Sequence, residues 1–357
     1  MEKLRVGVIG TGSLAEYHLN SYKNNPAVEI TALCDINKER ARKKADIFGA
    51  KEIYDDYEEM FKSKNIDAVS VITWNNTHAP ITIAALEAGK HVLCEKPPAL
   101  NAEEASRMKQ AAEKKGKLLM YGFVRRFAQN TQVLKSFMDS GELGEIYYIK
   151  TGYLRRCGNP GGWFANKEIS GGGPLIDLGV HIIDLAMYLM GKPKPVSVFG
   201  NTSYKVGNRA NIKDVTNYKS ADFKTEQNIS VKNTVEDFAN ALIKFDNGAS
   251  LYVETSWTMH IKSNIAYMDI FGSKGGAKLE PQLEIYSEKN NYMIDIQPVV
   301  SSSSFDFDKA FSAEIDHFVD CIMNGTPCIC PAEDGLTIMK ILDAIYKSAE
   351  TGKLIVL

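Results

Sequence analysis

The sequence predicts a two-part α/β protein: a doubly wound parallel sheet at the N-terminus, followed by a second domain with a large, mostly antiparallel open sheet. Three observations carry this expectation. The β-rich run Leu4-Arg5-Val6-Gly7-Val8-Ile9 breaks at Gly10-Thr11-Gly12-Ser13-Leu14-Ala15, after which Ala15, His18, Leu19 and Tyr22 recur at helical spacing. Strand-like and helix-like segments then alternate up to about residue 121. Beyond that point, β-branched and aromatic segments follow one another with short turns such as Asp246-Asn247-Gly248, the pattern of consecutive antiparallel strands.

The first glycine of the opening turn allows a tight bend, the second lets backbone approach a pyrophosphate, and Ala15 is small enough for helix to pack on strand. Gly10, Thr11, Gly12, Ser13 and Leu14 are therefore candidate cofactor contacts. A second strand, over 28–34, ends in Asp35, about 20 residues on, where a dinucleotide fold needs a carboxylate for the adenosine ribose hydroxyls. Asp35 would repel a 2′-phosphate, and Asp35-Ile36-Asn37 places no arginine directly behind it. NAD is preferred over NADP, with Lys38 and Arg40 as the opposing features.

The alternation continues through a helix over 38–48, a short strand at 52–54, a helix over 56–62 and a buried strand over 68–72. A turn at 73–78, a helix over 79–88 and a strand over 91–94 lead into Cys94-Glu95-Lys96-Pro97-Pro98. A lysine fixed by the prolines behind it can serve as acid, base or electrostatic anchor. A helix over 102–115 and a strand over 118–121 complete six strands, giving a dinucleotide-binding domain over 1–121. Such sheets bind ligands beyond the carboxyl ends of their strands, where the Gly10 turn, Asp35, the 73–78 turn and Lys96 all fall. His78, at a helix start, reads from its position as a capping or packing histidine.

Residues 122–357 form the expected second domain, for substrate binding and oligomerisation. Strands are expected over 146–153, 196–202, 235–245, 250–257, 267–271 and 283–286, with surface loops over 207–233 and 301–304. A helical hairpin over 309–323 and 332–350 closes the chain. The lone helix early in this part follows Ser170-Gly171-Gly172-Gly173-Pro174 and sets Asp177, His181 and Asp184 at i, i+4 and i+7 within apolar surroundings. A carboxylate beside a histidine orients the imidazole and raises its basicity, which makes a proton-transfer pair. The alternatives are a solvated helix face or two ligands of a metal site that lacks an identifiable third.

Composition narrows the partners. A formal charge of -2, from 42 basic and 44 acidic residues, offers no excess positive potential for nucleic acid or an anionic membrane. No signal-peptide core follows Met1, and no apolar run is expected to approach the roughly 20 residues of a bilayer span, so a cytoplasmic protein is expected. The six cysteines lack a disulfide-framework spacing and are expected to be reduced. Cys328-Ile329-Cys330 reads as packed side chains rather than metal ligands, and no metal is expected.

Taken together, these segments resemble the Gfo/Idh/MocA oxidoreductases over nearly the whole chain. The resemblance rests on the Gly10–Ala15 turn, on 85–97 with its Glu95-Lys96-Pro97, on 171–184 with its Asp177-x-x-x-His181, and on Ala344-Ile345-Tyr346-Lys347-Ser348-Ala349. It implies catalytic roles for Lys96, Asp177 and His181, with the Glu95-Lys96 loop touching the nicotinamide ribose. It implies cofactor contacts at Thr73, Asn75 and His78, although Trp74 replaces the family's usual proline. Arg126, Arg156 and Trp163 lie in segments resembling substrate-side parts of members that act on sugars and glycosides. Lys96, Asp177 and His181 would face the same substrate. The implied protein is an NAD-dependent dehydrogenase of sugar, glycoside or polyol hydroxyls, forming a homo-oligomer, dimer or tetramer. Glycoside cleavage through transient oxidation and a non-catalytic NAD-binding regulator are the rival expectations.

Overall fold

The computed structural model describes residues 3–207, 209, 233–300 and 305–357. The loops expected at 207–233 and 301–304 lie almost wholly outside the described residues. Cα proximity divides the chain into two compact units. One takes residues up to Val124 together with Asp308–Met339; the other takes mainly Arg125 to Phe307, with Lys340–Leu357.

The first unit contains β1 (Leu4–Ile9), α1 (Ala15–Asn24), β2 (Val28–Cys34), α2 (Lys38–Phe48), β3 (Glu52–Tyr54), α3 (Tyr57–Phe61), β4 (Ala68–Val71), α4 (Asn75–Glu87), β5 (His91–Glu95), α5 (Ala102–Lys115) and β6 (Leu119–Gly122). All six strands are parallel, in the order β3-β2-β1-β4-β5-β6. The chain winds one way from β1 and the other way from β4, which opens a crevice between the carboxyl ends of these two strands. Helices cover both faces, so the strands read as continuous apolar runs, with Val6, Val8, Val69, Val71, Val92 and Leu93 fully buried. The helices away from the crevice have ordinary ends: Asn37 caps α2 and Asn101 caps α5, and both stop at left-handed glycines, Gly49 and Gly116. By contrast, α1 and α4, which start at the crevice, have no side-chain cap.

The second unit begins with a 3-10 turn, Val124–Phe127, and α6 (Gln129–Asp139), then β7 (Ile146–Leu154), α7 (Lys167–Ser170), a π turn at Leu175–Gly179 and α8 (Val180–Leu189). It continues with β8 (Pro195–Ser203), β9 (Phe238–Phe245), β10 (Ser250–Ser256), β11 (Ile265–Gly272), β12 (Gly275–Glu280), β13 (Glu284–Lys289) and β14 (Tyr292–Ile296). After α9 (Phe307–Asn324) and α10 (Ala332–Thr351), β15 (Ile355–Val356) returns to this sheet. The nine strands run β14-β13-β12-β11-β7-β10-β9-β8-β15 and pair antiparallel except for β7 with β10.

One face of this sheet, carrying Ile149, Ile270, Leu251, Val253 and Ile243, is buried and receives α8. On the other face Phe199, Leu242, Tyr252, Lys150 and Asp269 form a row in register across five strands. The helix α6 was not expected; its polar start, Gln129-Asn130-Thr131-Gln132, hides the short amphipathic stripe anchored by the fully buried Leu134. One stretch, Lys167–Leu189, does have the length and hydropathy of a membrane span, against expectation. Its apolar window is 83% buried within the fold, the state of a core helix.

Candidate active site

In the first unit the opening turn has the form a dinucleotide requires. Gly10 has φ 88°, and a Cβ there would lie 2.2 Å from the Ile72 carbonyl oxygen, so only glycine fits. Over Gly12 a Cβ would meet nothing within 4 Å, which leaves space directly above the uncapped start of α1. An uncapped helix N-terminus under open space suits a pyrophosphate, because its amides point outward and the helix dipole favours negative charge.

Asp35 ends β2 and is buried. Its carboxylate accepts the Thr11 amide and hydroxyl at 2.8 Å each, the Asn37 amide at 2.8 Å, and both arms of the Arg40 guanidinium at 3.0 and 2.7 Å. Burial by itself would raise its pKa; the Arg40 guanidinium and the Thr11 and Asn37 donors outweigh it and hold the carboxyl below its ordinary value. Arg40, named above as a feature opposing NAD preference, is paired with the Asp35 carboxylate. The open turn suits the pyrophosphate of a dinucleotide, and Asp35 sits beside it with both carboxylate oxygens engaged by Thr11, Asn37 and Arg40.

The 73–78 turn and the Lys96 loop meet through His78. Its Nδ1 lies 2.7 Å from the Pro97 carbonyl oxygen and its Nε2 3.1 Å from that of Thr73. Full burial holds the imidazole below its usual pKa, although the two carbonyls pull the other way. Each ring nitrogen faces a carbonyl acceptor, with the shorter contact at Nδ1. Trp74, in the place of the expected proline, has φ -70°, a value proline would itself adopt, so the turn keeps that shape and presents the indole to solvent. Asn75 is buried at the first position of α4.

Lys96 is half-buried after β5 and precedes a cis bond to Pro97. Its amide donates to Glu95 Oε2 at 3.1 Å, and Glu95 Oε1 is 2.8 Å from His18 Nε2. The Glu95 carboxylate, in the loop whose contact with the nicotinamide ribose the resemblance implies, is turned inward and buried.

In the second unit the glycine run is explained by close approach. A Cβ on Gly172 would lie 2.0 Å from the Tyr346 hydroxyl, and one on Gly173 would lie 2.3 Å from the Glu236 carbonyl oxygen. Buried Glu236 accepts the Gly173 amide at 2.9 Å, the Leu175 amide at 3.1 Å and the Tyr346 hydroxyl at 2.9 Å. It thereby fixes the start of the helical segment carrying Asp177. The segment then makes one π turn, in which the Val180 amide reaches back to the Leu175 carbonyl, before α8 begins.

The wider turn breaks the expected stripe. Asp177 and His181 are half-buried while the residues between them are buried. Asp184, expected beside them, is only 1% exposed and pairs with Arg126 at 2.6 and 3.0 Å. The Trp257 indole N–H donates to Asp177 Oδ2 at 3.2 Å. Arg155 also feels Asp177: burial opposes its charge, but Tyr153 and Asp177 outweigh that and raise its pKa. Tyr153 lies between the guanidinium groups of Arg155 and Arg125, 4.9 and 5.2 Å from its ring centre.

Of the expected substrate residues, Arg126 is 1% exposed and committed to Asp184, so it belongs to the interior. Arg156 is exposed and its guanidinium binds the Lys262 carbonyl, leaving Arg155 as the arginine coupled to Asp177. Trp163 stacks on Phe164 with ring centres 3.9 Å apart, and Phe164 meets Trp257 edge-on at 6.4 Å. Sequence reasoning missed Trp257, Arg155, Glu236 and the buried partner of Glu95. Their contacts span long sequence separations, and only the Tyr153-x-Arg155 pair next to the expected Arg156 offered a local signal.

His317, Cys321 and Cys328 offer ligand atoms within 4.8 Å of one another. However, His317 Nε2 already accepts the Ile329 amide at 3.1 Å, and burial pushes the Cys328 thiol up to about 12. The lone pair of that imidazole nitrogen is thus taken up within the fold.

A parallel sheet with an open glycine turn, a carboxylate at the second strand and a lysine at the fifth defines a nicotinamide-dependent oxidoreductase. Residues 4–123 match the family model described as an oxidoreductase family, NAD-binding Rossmann fold, and residues 135–357 match that family's C-terminal alpha/beta domain. The chain belongs to the Gfo/Idh/MocA family. It is 37% identical to D-glucoside 3-dehydrogenase of Escherichia coli K12 over 352 residues, covering 98% of this chain and 96% of that one. It is 30% identical to scyllo-inositol 2-dehydrogenase (NAD(+)) of Bacillus subtilis 168 over 355 residues, covering 98% and 95%. The structure of levoglucosan dehydrogenase in complex with NADH and L-sorbose superposes with a TM-score of 0.85 at 25% identity, covering 100% of this chain and 99% of that one.

Proposed function

We propose that the protein oxidises a ring hydroxyl of a glucoside or closely related pyranoside to a ketone, with Lys96, Asp177 and His181 as the reacting side chains. The observation that carries this reading is the Asp177–His181 pair, the half-open positions on an otherwise buried helical segment that Glu236 fixes from behind. The 37% identity to a D-glucoside 3-dehydrogenase favours glucosides among the sugars and cyclitols handled by relatives. NAD would be held by the 10–14 turn and Asp35, and when bound it accepts the hydride from the carbinol carbon. As hydride leaves, the hydroxyl proton passes to His181, Asp177 keeps the imidazole oriented, and Lys96 stabilises the oxygen as charge develops on it. Trp163 offers an aromatic surface to the sugar ring.

The test is a panel of alkyl β-glucosides, levoglucosan and inositols assayed by NADH absorbance. Glucosides turned over with one NADH per ketone support the reading; cyclitols preferred over every glucoside, or free sugar released without NADH, overturn it. Six free cysteines favour a cytoplasmic setting. Exposed Phe199, Leu242 and Phe271 on the outer sheet face favour a homo-oligomer, testable by light scattering.

A further inference from the structure

Two fully buried histidines, from helices that start at the cofactor crevice, flank the lysine. His18, on α1, is 0% exposed, and His78, on α4, is 1% exposed. We propose that His18 and His78 are positioning residues that clamp Lys96 from both sides, His18 through the Glu95 carboxylate and His78 through the Pro97 carbonyl. The inference rests on the catalytic role for Lys96 given above.

On the His18 side, the contacts run from one buried group to the next. The Tyr22 hydroxyl lies 2.7 Å from Ser70 Oγ, and Ser70 Oγ lies 3.3 Å from His18 Nδ1. The other ring nitrogen, Nε2, lies 2.8 Å from Glu95 Oε1. The other carboxylate oxygen, Oε2, accepts the Lys96 amide at 3.1 Å. Ser70, on β4, therefore anchors the imidazole that holds Glu95, and Glu95 fixes the peptide plane from which Lys96 projects. There is little slack: a Cβ at Gly122 would lie 3.0 Å from this carboxylate, Phe311 packs on the His18 ring with centres 5.5 Å apart, and the Glu314 carboxylate lies within 4.8 Å. On the other side, His78 Nδ1 lies 2.7 Å from the Pro97 carbonyl oxygen.

The arrangement has a mechanical consequence. Helix α1 grows out of the Gly10–Leu14 turn and α4 out of the Thr73 turn, so whatever seats the cofactor against those turns also seats the two histidines. A misplacement of Lys96 by about 1 Å would cost about a hundredfold in turnover without removing any group that touches substrate.

The experiment compares wild type with Ser70→Ala, His18→Leu, His18→Gln and Lys96→Met in two readouts. The first is kcat, KM and NAD affinity on an accepted glucoside. The second is hydrogen exchange at the Lys96 amide, a clean probe because Pro97 and Pro98 carry no N–H. The clamp predicts a kcat loss approaching a hundredfold in His18→Leu with KM and NAD affinity nearly unchanged, a smaller loss in Ser70→Ala, partial rescue in His18→Gln, and faster Lys96 amide exchange in the same order. If Lys96→Met is inactive while Ser70→Ala and His18→Leu keep wild-type kcat and exchange, the clamp is wrong and the dehydrogenase reading stands. If wild type turns over no glucoside or polyol, that reading falls, and amide exchange alone decides the clamp. Ser70→Ala removes a single buried hydroxyl, so the test survives if the His18 variants fail to fold.

Discussion

Arg126→Ala tests whether the arginine that resembles a substrate contact is instead part of the interior. Both members of the Arg126–Asp184 pair are 1% exposed, the contact is two-armed at 2.6 and 3.0 Å, and the guanidinium also lies 5.0 Å from the Tyr188 ring centre. Truncation removes the two-armed cation from a buried carboxylate, a loss of about 3–5 kcal/mol. At about 2–4 °C per kcal/mol for a domain of this size, the apparent melting temperature should fall by about 6–20 °C. The surviving folded enzyme should keep its glucoside KM. Because the cost lies in the stranded carboxylate, Arg126→Met with Asp184→Leu should recover most of the loss. Differential scanning fluorimetry and steady-state kinetics on wild type and the two variants decide the matter. An unchanged melting temperature with a raised KM would refute the interior assignment.

Other consequences follow from the same geometry. Glu236→Ala removes the acceptor of three donors, and each donor left buried costs about 1–3 kcal/mol, so thermal stability and kcat should drop together while Tyr346→Phe stays milder; melting and turnover measurements check this. Trp257→Phe loses the N–H to Asp177 and leaves part of a buried indole's volume empty, so kcat should fall by about tenfold and the melting temperature should fall with it; a wild-type rate would exclude a role for that bond. Asp35 is held below its ordinary pKa, so its stabilising contribution is complete above the unfolded value of about 4 and is lost as pH falls through the folded value. The melting-temperature gap between wild type and Asp35→Asn should therefore narrow as pH falls below about 4, and a constant gap would contradict the assignment.

What could be read from the sequence divides along physical lines. The parallel half was legible because its strands are buried on both faces and its helices have cap and glycine punctuation, as at Asn37 and Gly49. The Gly10 turn, Asp35 and Lys96 were legible because each combines a residue type with a place at a strand end. The Asp177–His181 spacing was legible too, but the π turn was not, since nothing in Leu175–Gly179 marks an i to i+5 bond. That turn and the long-range pair with Arg126 take Asp184 out of the stripe the sequence suggested. Contacts between distant segments, such as Glu236 with Gly173, His18 with Glu95 and Trp257 with Asp177, leave no local pattern. The strand β12, with Gly275 and Gly276 at its start, was hidden by glycines that let neighbouring backbones approach.

The central claim is that Lys96 and His181 carry the proton chemistry of hydride removal from a glucoside. The most direct measurement is kcat of Lys96→Met and of His181→Ala on the best glucoside, with NAD affinity measured alongside. The account predicts that each loses on the order of a hundredfold to ten-thousandfold in kcat while NAD still binds. Wild-type turnover in either variant, with cofactor bound, would contradict it.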